Sequence, residues 1–205
     1  RKIAVAAERF LDANGYQGYL EDYQWEFSLI KDDDQVNAWA MPGGKIAFYT
    51  GIMPIAQNET GVAAIMAHEV AHAVANHGAQ RMSAAQLQQV GGAVVGAAVG
   101  GRSESTQQII AQAYGLGTNL GGMLPFSRSH ESEADRVGLT LMAIAGYDPA
   151  EAANLWRRMA QESGGQAPPE FLSTHPNPQT RINNIEKWAP EAKAEARKYG
   201  VTSFK

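Results

Sequence analysis

Residues 62–76 read VAAIMAHEVAHAVAN. Glu69 is the only Lys, Arg, Asp or Glu in this run, and it sits between His68 and His72. So apolar a stretch folds as a helix buried on nearly all sides. A carboxylate inside such a helix is costly unless a partner needs it there. The run therefore fixes two things at once: a helix at the centre of the core, and a polar site built into it.

On a helix, His68 and His72 lie about 6 Å apart along the axis and on one face, so their imidazoles can converge on one ion. Zinc accepts two such nitrogens, and a catalytic site adds one further protein ligand and leaves one position open. Glu69 is placed to take a proton from a water at that position. This is the H-E-x-x-H arrangement. Against it stands the reading in which a buried histidine is merely hydrogen-bonded; the charged Glu69 weighs against that.

The third ligand has three candidate sources. In the pattern H-E-x-x-H-x-x-G-x-x-H, Ala75 stands at the glycine position and Gly78 at the histidine position, so that class is excluded. His77 falls one residue short and is expected to decorate the helix end, where an imidazole suits the C-terminal dipole. The segment SRSHESEADRVG, residues 127–138, supplies Glu131 and Asp135, four apart on one helical face. Glu131 is the candidate ligand, with Asp135 accepting a hydrogen bond from the far nitrogen of a ligating histidine. Glu133 points away from that pair, toward solvent or Arg136. His130 is the third candidate, without such a partner at helical spacing. Taken alone, the segment also reads as an ordinary charged helix start.

The remaining chain reads as α+β. A helix is expected over 2–13, ending at Asn14-Gly15, followed by strands at 24–31, 36–41 and 45–50 in a small antiparallel sheet. Asn58 caps the zinc-type helix and Gly78 stops it. Further helices are expected over 129–145, 149–162, 178–188 and 190–199, with two Gln/Ala/Gly-rich helices within 79–124. The 205 residues hold enough apolar material for one core, and a net charge of −4 argues against a nucleic-acid partner. Cysteine is absent, which excludes thiolate ligands and disulfides. No stretch reaches the ~18 apolar residues of a membrane span. The sequence begins at Arg1 rather than Met, so an upstream signal peptide, lipid-attachment cysteine or membrane helix stays open.

HEVAH, SRSHESEADRVG and STHPNPQTRI, in that order and preceded by NAWAMPGGKIAFYTGIM, together resemble the gluzincin-type zinc metallopeptidase family that includes HtpX, the CAAX prenyl endopeptidases and BepA. The resemblance covers most of residues 37–185. It implies a mostly α-helical, gluzincin-like metalloprotease domain over 1–205, with one Zn2+ held by His68, His72 and Glu131. Glu69 would be the general base and Asp135 the partner behind a ligating histidine. It also implies that His175 and Arg181 approach the active site, to stabilise an oxyanion or to occupy the open zinc position at rest. The plain alternatives are that residues 174–176 shape a turn and that Arg181 pairs with a carboxylate.

The strands at 37–41 and 45–50 would offer an edge for an extended polypeptide, although Trp39, Ile46 and Phe48 also alternate as core residues do. Family members with membrane hairpins carry them where this chain has residues 79–126, expected here to be a helical lid or arm, with membrane-surface or oligomer contact as a secondary role. The resemblance implies an endopeptidase for misfolded or unassembled envelope proteins in the bacterial periplasm. Peripheral or lipid-anchored attachment to the outer membrane would run through a segment outside the chain. The rival expectation is a zinc-stabilised envelope chaperone or assembly factor. Hydrolysis of another amide, such as a cell-wall peptide, is a third.

Overall fold

The computed structural model describes residues 1–83, 86, 127–162, 170–176 and 178–205. Two compact units divide the chain, Arg1–His77 with Phe126–Lys205, and Gly78–Pro125. In the second, only 78–83 and 86 are described, 78–83 as helix. The expected lid or arm at 79–126, with its two expected helices, therefore lies almost wholly outside the described residues.

The first unit is α+β and mostly helical. Helix α1 (Lys2–Ala13) ends at Asn14, and Gly15 follows in the left-handed region, as the Asn-Gly pair dictates. The sheet consists of β1 (Glu26–Ile30), β2 (Ala38–Ala40) and β3 (Lys45–Tyr49), in the order β1-β3-β2. It is mixed, not antiparallel: β2 pairs antiparallel with β3, but β1 pairs parallel with it, Phe27 opposite Ile46. The cause lies in residues 31–37, which do not turn β1 back on itself. Asp32 exchanges hydrogen bonds with the far end of β3, its N–H to Thr50 Oγ1 and its carbonyl from Gly51 N–H. The loop is thus drawn across that strand's end, and β2 starts on the other side. Ile46, Ala47 and Phe48 are all buried, so β3 is covered on both faces where alternation was expected.

After a 3₁₀ turn (Thr50–Ile52) and the short α2 (Met53–Ala56) comes α3 (Glu59–Val74). Asn58 caps it, its side chain accepting the Gly61 N–H at 2.9 Å. Nearly every residue from Ala63 to Ala73 is buried, as the apolar run requires. The stop is Asn76, with φ +55°, rather than Gly78; asparagine tolerates the left-handed conformation, and the chain turns helical again at 77.

Helix α4 (Arg128–Ile144) is capped by Ser127 and ends before Gly146, at φ +86°. Its buried face carries Glu131, Ala134, Asp135, Gly138 and Met142. Gly138 lets it pack closely on α3: a Cβ there would lie 3.1 Å from the His68 backbone nitrogen. Helices α5 (Glu151–Glu162), α6 (Glu170–Thr174) and α7 (Pro178–Arg197) complete the unit. The two helices expected over 178–199 are one, running through Pro190. A mid-helix proline costs roughly 3 kcal/mol. Here Ile182, Ile185, Ala189, Ala192 and Ala196 form a continuous buried stripe on both sides of it, which holds the helix together.

Candidate metal centre

His68 and His72 project from the middle of α3, and Glu131 from the first turn of α4 facing it. His175 follows α6, its backbone N–H bonded to the Phe171 carbonyl and its ring packed 4.5 Å from the Phe171 ring. One donor atom from each of these four buried residues lies within 4.8 Å of every other. His68 Nε2 is 3.1 Å from His72 Nε2 and 3.2 Å from His175 Nδ1. Glu131 Oε1 is 3.3 Å from His72 Nε2 and 2.9 Å from His175 Nδ1. A tetrahedron with bonds of about 2.0–2.1 Å has edges of about 3.3 Å. Three imidazole nitrogens and a carboxylate oxygen at this spacing fit one divalent ion.

The polar atoms left over point the same way. Glu131 Oε2 is buried without a hydrogen bond, and so is Glu69 Oε1, 3.4 Å from His175 Nε2. Glu69 is 4 % exposed, and burial pushes its carboxyl up to about 7; the His175 and Arg181 charges and a hydrogen bond from the Ala40 backbone N–H oppose that rise. Ala40 belongs to β2, an edge strand, so the sheet edge and the candidate base meet directly.

Behind the cluster, His68 Nδ1 lies 3.1 Å from Asp135 Oδ1, the partnership expected from the spacing of α4. Arg181, buried on α7, donates from Nε to Asp135 Oδ2 at 2.7 Å and from Nη2 to Oδ1. Its Nη1 lies 2.5 Å from Glu131 Oε2, close in charge but out of hydrogen-bond alignment. The guanidinium carbon sits 3.6 Å from the centre of the Trp156 ring. Arg181 thus pairs with two carboxylates, and its Nη2 also lies 3.2 Å from His68 Nδ1. Burial lowers the His68 imidazole to about 4, helped by the Arg181 charge, so His68 is neutral, as a ligand must be. Burial also drives His72 well below its ordinary value. Glu131 and Asp135 stay ionised: burial pushes each up, and His175 and Arg181 on one side and Arg181 on the other outweigh it.

One residue departs from expectation. His77 does not merely finish a helix; its Nδ1 is 2.9 Å from His72 Nδ1 and its Nε2 is 3.3 Å from Glu133 Oε2. Glu133 lies at the surface, as expected, with its side chain 59% exposed, and reaches back to His77 rather than to Arg136, which pairs with Glu191. A five-residue separation puts His72 and His77 on different faces of an unbroken helix; the left-handed turn at Asn76 brings them together. His130 stacks on His77 at 4.4 Å rather than joining the four.

A family model described as "Peptidase family M48" matches residues 6–189. The chain belongs to peptidase family M48. Among curated proteins, it is 40% identical over 178 residues to the mitochondrial metalloendopeptidase OMA1 of Schizosaccharomyces pombe, covering 86% of this chain and 50% of that protein. It is 34% identical over 197 residues to OMA1 of Saccharomyces cerevisiae, covering 93% and 54%. The beta-barrel assembly-enhancing protease of Escherichia coli K12 is 31% identical over 163 residues, covering 77% and 33%. The chain thus spans about half or less of the length of these relatives. As an M48 chain it carries the His/Glu cluster of a metal-dependent peptidase family. Among the described residues, no helix is long and apolar enough to cross a membrane.

Proposed function

We propose that this M48 chain is the catalytic domain of a zinc-dependent endopeptidase, with His68, His72 and Glu131 as protein ligands and Glu69 as general base. The observation that carries this reading is the convergence of four buried donors beside a buried, unpartnered carboxylate oxygen. When bound, zinc supplies a Lewis acid that polarises the scissile carbonyl and lowers the pKa of an attacking water toward ~7. Glu69 takes the proton of that water at its carboxylate and returns it to the leaving amine. An extended substrate adds to the free edge of β2, whose Ala40 already meets Glu69. His175 is one of the four clustered donors, so on this reading turnover requires it to leave one position open for the scissile carbonyl. Arg181 holds Asp135 and Glu131 in place.

Substrates on this reading are extended or unassembled polypeptides. The bacterial relative's name ties that protein to β-barrel assembly, and the yeast relatives' name ties theirs to mitochondria. Applied here, the first suggests envelope proteins in a periplasm, the second a mitochondrial setting, and fractionation of the source cells decides between them.

One observation favours the rival reading, a zinc-stabilised chaperone: four protein donors are the complement of a closed, structural zinc site. The test is elemental analysis together with cleavage of an unfolded protein. One zinc per chain is expected, with loss of about 10²- to 10⁴-fold of the rate in Glu69→Gln. Undiminished cleavage by Glu69→Gln removes the base. A zinc-loaded wild type that binds unfolded chains without cutting them favours the chaperone.

A further inference from the structure

We propose that His77 and Glu133 form a hydrogen-bonded relay that fixes the ring orientation and tautomer of His72, making His77 a positioning residue for the metal site. The inference rests on the reading that His72 presents Nε2 to a metal ion.

The proton arrangement follows from the contacts. A ligating nitrogen must offer its lone pair, so His72 Nε2 carries no hydrogen and Nδ1 does. That N–H points at His77 Nδ1, 2.9 Å away, which must then accept. His77 therefore carries its hydrogen on Nε2 and donates it toward the Glu133 carboxylate at 3.3 Å. Each group has one role compatible with the next, from the carboxylate to the ligating nitrogen. If His72 were protonated on Nε2 instead, the same contacts would run in reverse and leave His77 Nε2 with a lone pair facing the carboxylate.

The surroundings leave little freedom. His77 is 1 % exposed, and its ring lies nearly parallel to that of His130, 15° apart. Its place is set by the left-handed Asn76, which takes the chain off the axis of α3 one residue earlier. Glu133 comes from α4, the helix that also supplies Glu131, so the relay ties the two ligand-bearing helices together a second time. His68 has Asp135 at its far nitrogen; with His77, His72 has a counterpart of different chemistry. Groups in this position raise ligand basicity and restrict the ring, and their loss typically weakens metal binding about 10- to 100-fold.

The experiment uses the full chain and zinc alone. Zinc affinity is measured by competition with a chromophoric chelator, alongside melting of the metal-free protein. His77→Ala is expected to weaken zinc binding about 10-fold or more. His77→Gln, which can accept from His72 and donate to Glu133, should recover most of that loss. Glu133→Ala alters a side chain 59% exposed, so it should shift metal-free melting little, yet it should weaken zinc binding about 10-fold. Long-range 15N NMR of the zinc-loaded protein should show hydrogen on His72 Nδ1 and His77 Nε2. Wild-type zinc affinity in folded His77→Ala, or equal loss in the Ala and Gln variants, overturns the relay. If His77→Ala does not fold, unchanged affinity in Glu133→Ala overturns it alone. A wild type that binds no zinc defeats the peptidase reading and the relay together, whereas zinc binding insensitive to these variants defeats only the relay.

Discussion

Replacing Arg181 by methionine removes the guanidinium that pairs with Asp135 and stands against Glu131, three side chains each no more than 5 % exposed. Breaking a buried pair by deleting one partner costs about 3–5 kcal/mol, because the remaining charge is stranded. Loss of the Trp156 contact adds to that, and the methionine's apolar burial offsets part of it. At about 2–4 °C per kcal/mol for a chain of this size, the metal-free variant should melt about 6–20 °C below wild type. The assay is calorimetry or circular dichroism in chelator at neutral pH, repeated with saturating zinc. The deficit should narrow with zinc, whose charge beside Glu131 takes over part of what Arg181 supplies. It should also narrow on acidification. In wild type, Arg181 holds Asp135 below its ordinary value against the upward push of burial. Without Arg181 only His68 opposes that push, so falling pH protonates the folded variant's Asp135 more readily and removes the stranded charge. A metal-free deficit below ~3 °C, or one that widens in acid, would refute the argument that Arg181 acts as counter-charge.

Three other outcomes follow from the same geometry. In Gly138→Ala the helix-propensity gain of up to ~1 kcal/mol competes with ~1–3 kcal/mol of overpacking against the Ala67–His68 backbone. Stability should fall by up to ~2 kcal/mol when the full propensity gain is realised and zinc affinity should fall with it, and a variant with unaltered affinity would show that the α3–α4 spacing has slack. Glu59 is drawn down to about 2 by the Lys205 ammonium and the Tyr147 hydroxyl. Its folded value lies below its ordinary 4.5, so its contribution is complete above about 4.5 and is lost as pH falls toward 2; Glu59→Gln should flatten that part of the acid-melting profile. Removing zinc by dialysis against chelator should lower the melting temperature and abolish cleavage, both restored by adding the metal; cleavage that survives in chelator would point to catalysis without an ion.

What the sequence revealed depended on whether local rules governed the element. The stretch 62–76 announced both the buried helix and its polar site, because a charged residue in such a run has few alternatives. The Asn58 cap and the Asn14-Gly15 stop likewise follow from single-residue chemistry. The register of Glu131 with Asp135 followed from helical periodicity, and the structure sets both against His68. The sheet was misread because three strand-like runs with short turns look the same whether the chain meanders or crosses over; the side chain of Thr50 and the Gly51 N–H, not the turn residues, decide it. Pro190 was read as a break because its local penalty is visible in sequence, while the buried stripe that overrides it is tertiary.

His77 was harder still. Its distance from His72 is wrong for a straight helix, and only a left-handed asparagine makes the pair meet. The residues that carry out the proposed chemistry could thus be read from a repeat of three to four, whereas those that hold them in place arrive from turns, loops and neighbouring helices. Arg181, 113 positions from the histidine it flanks, belongs to the second group. The catalytic pattern can survive in a sequence whose supporting contacts have gone, and the Arg181 and His77 variants separate the two cases because each leaves H-E-x-x-H intact.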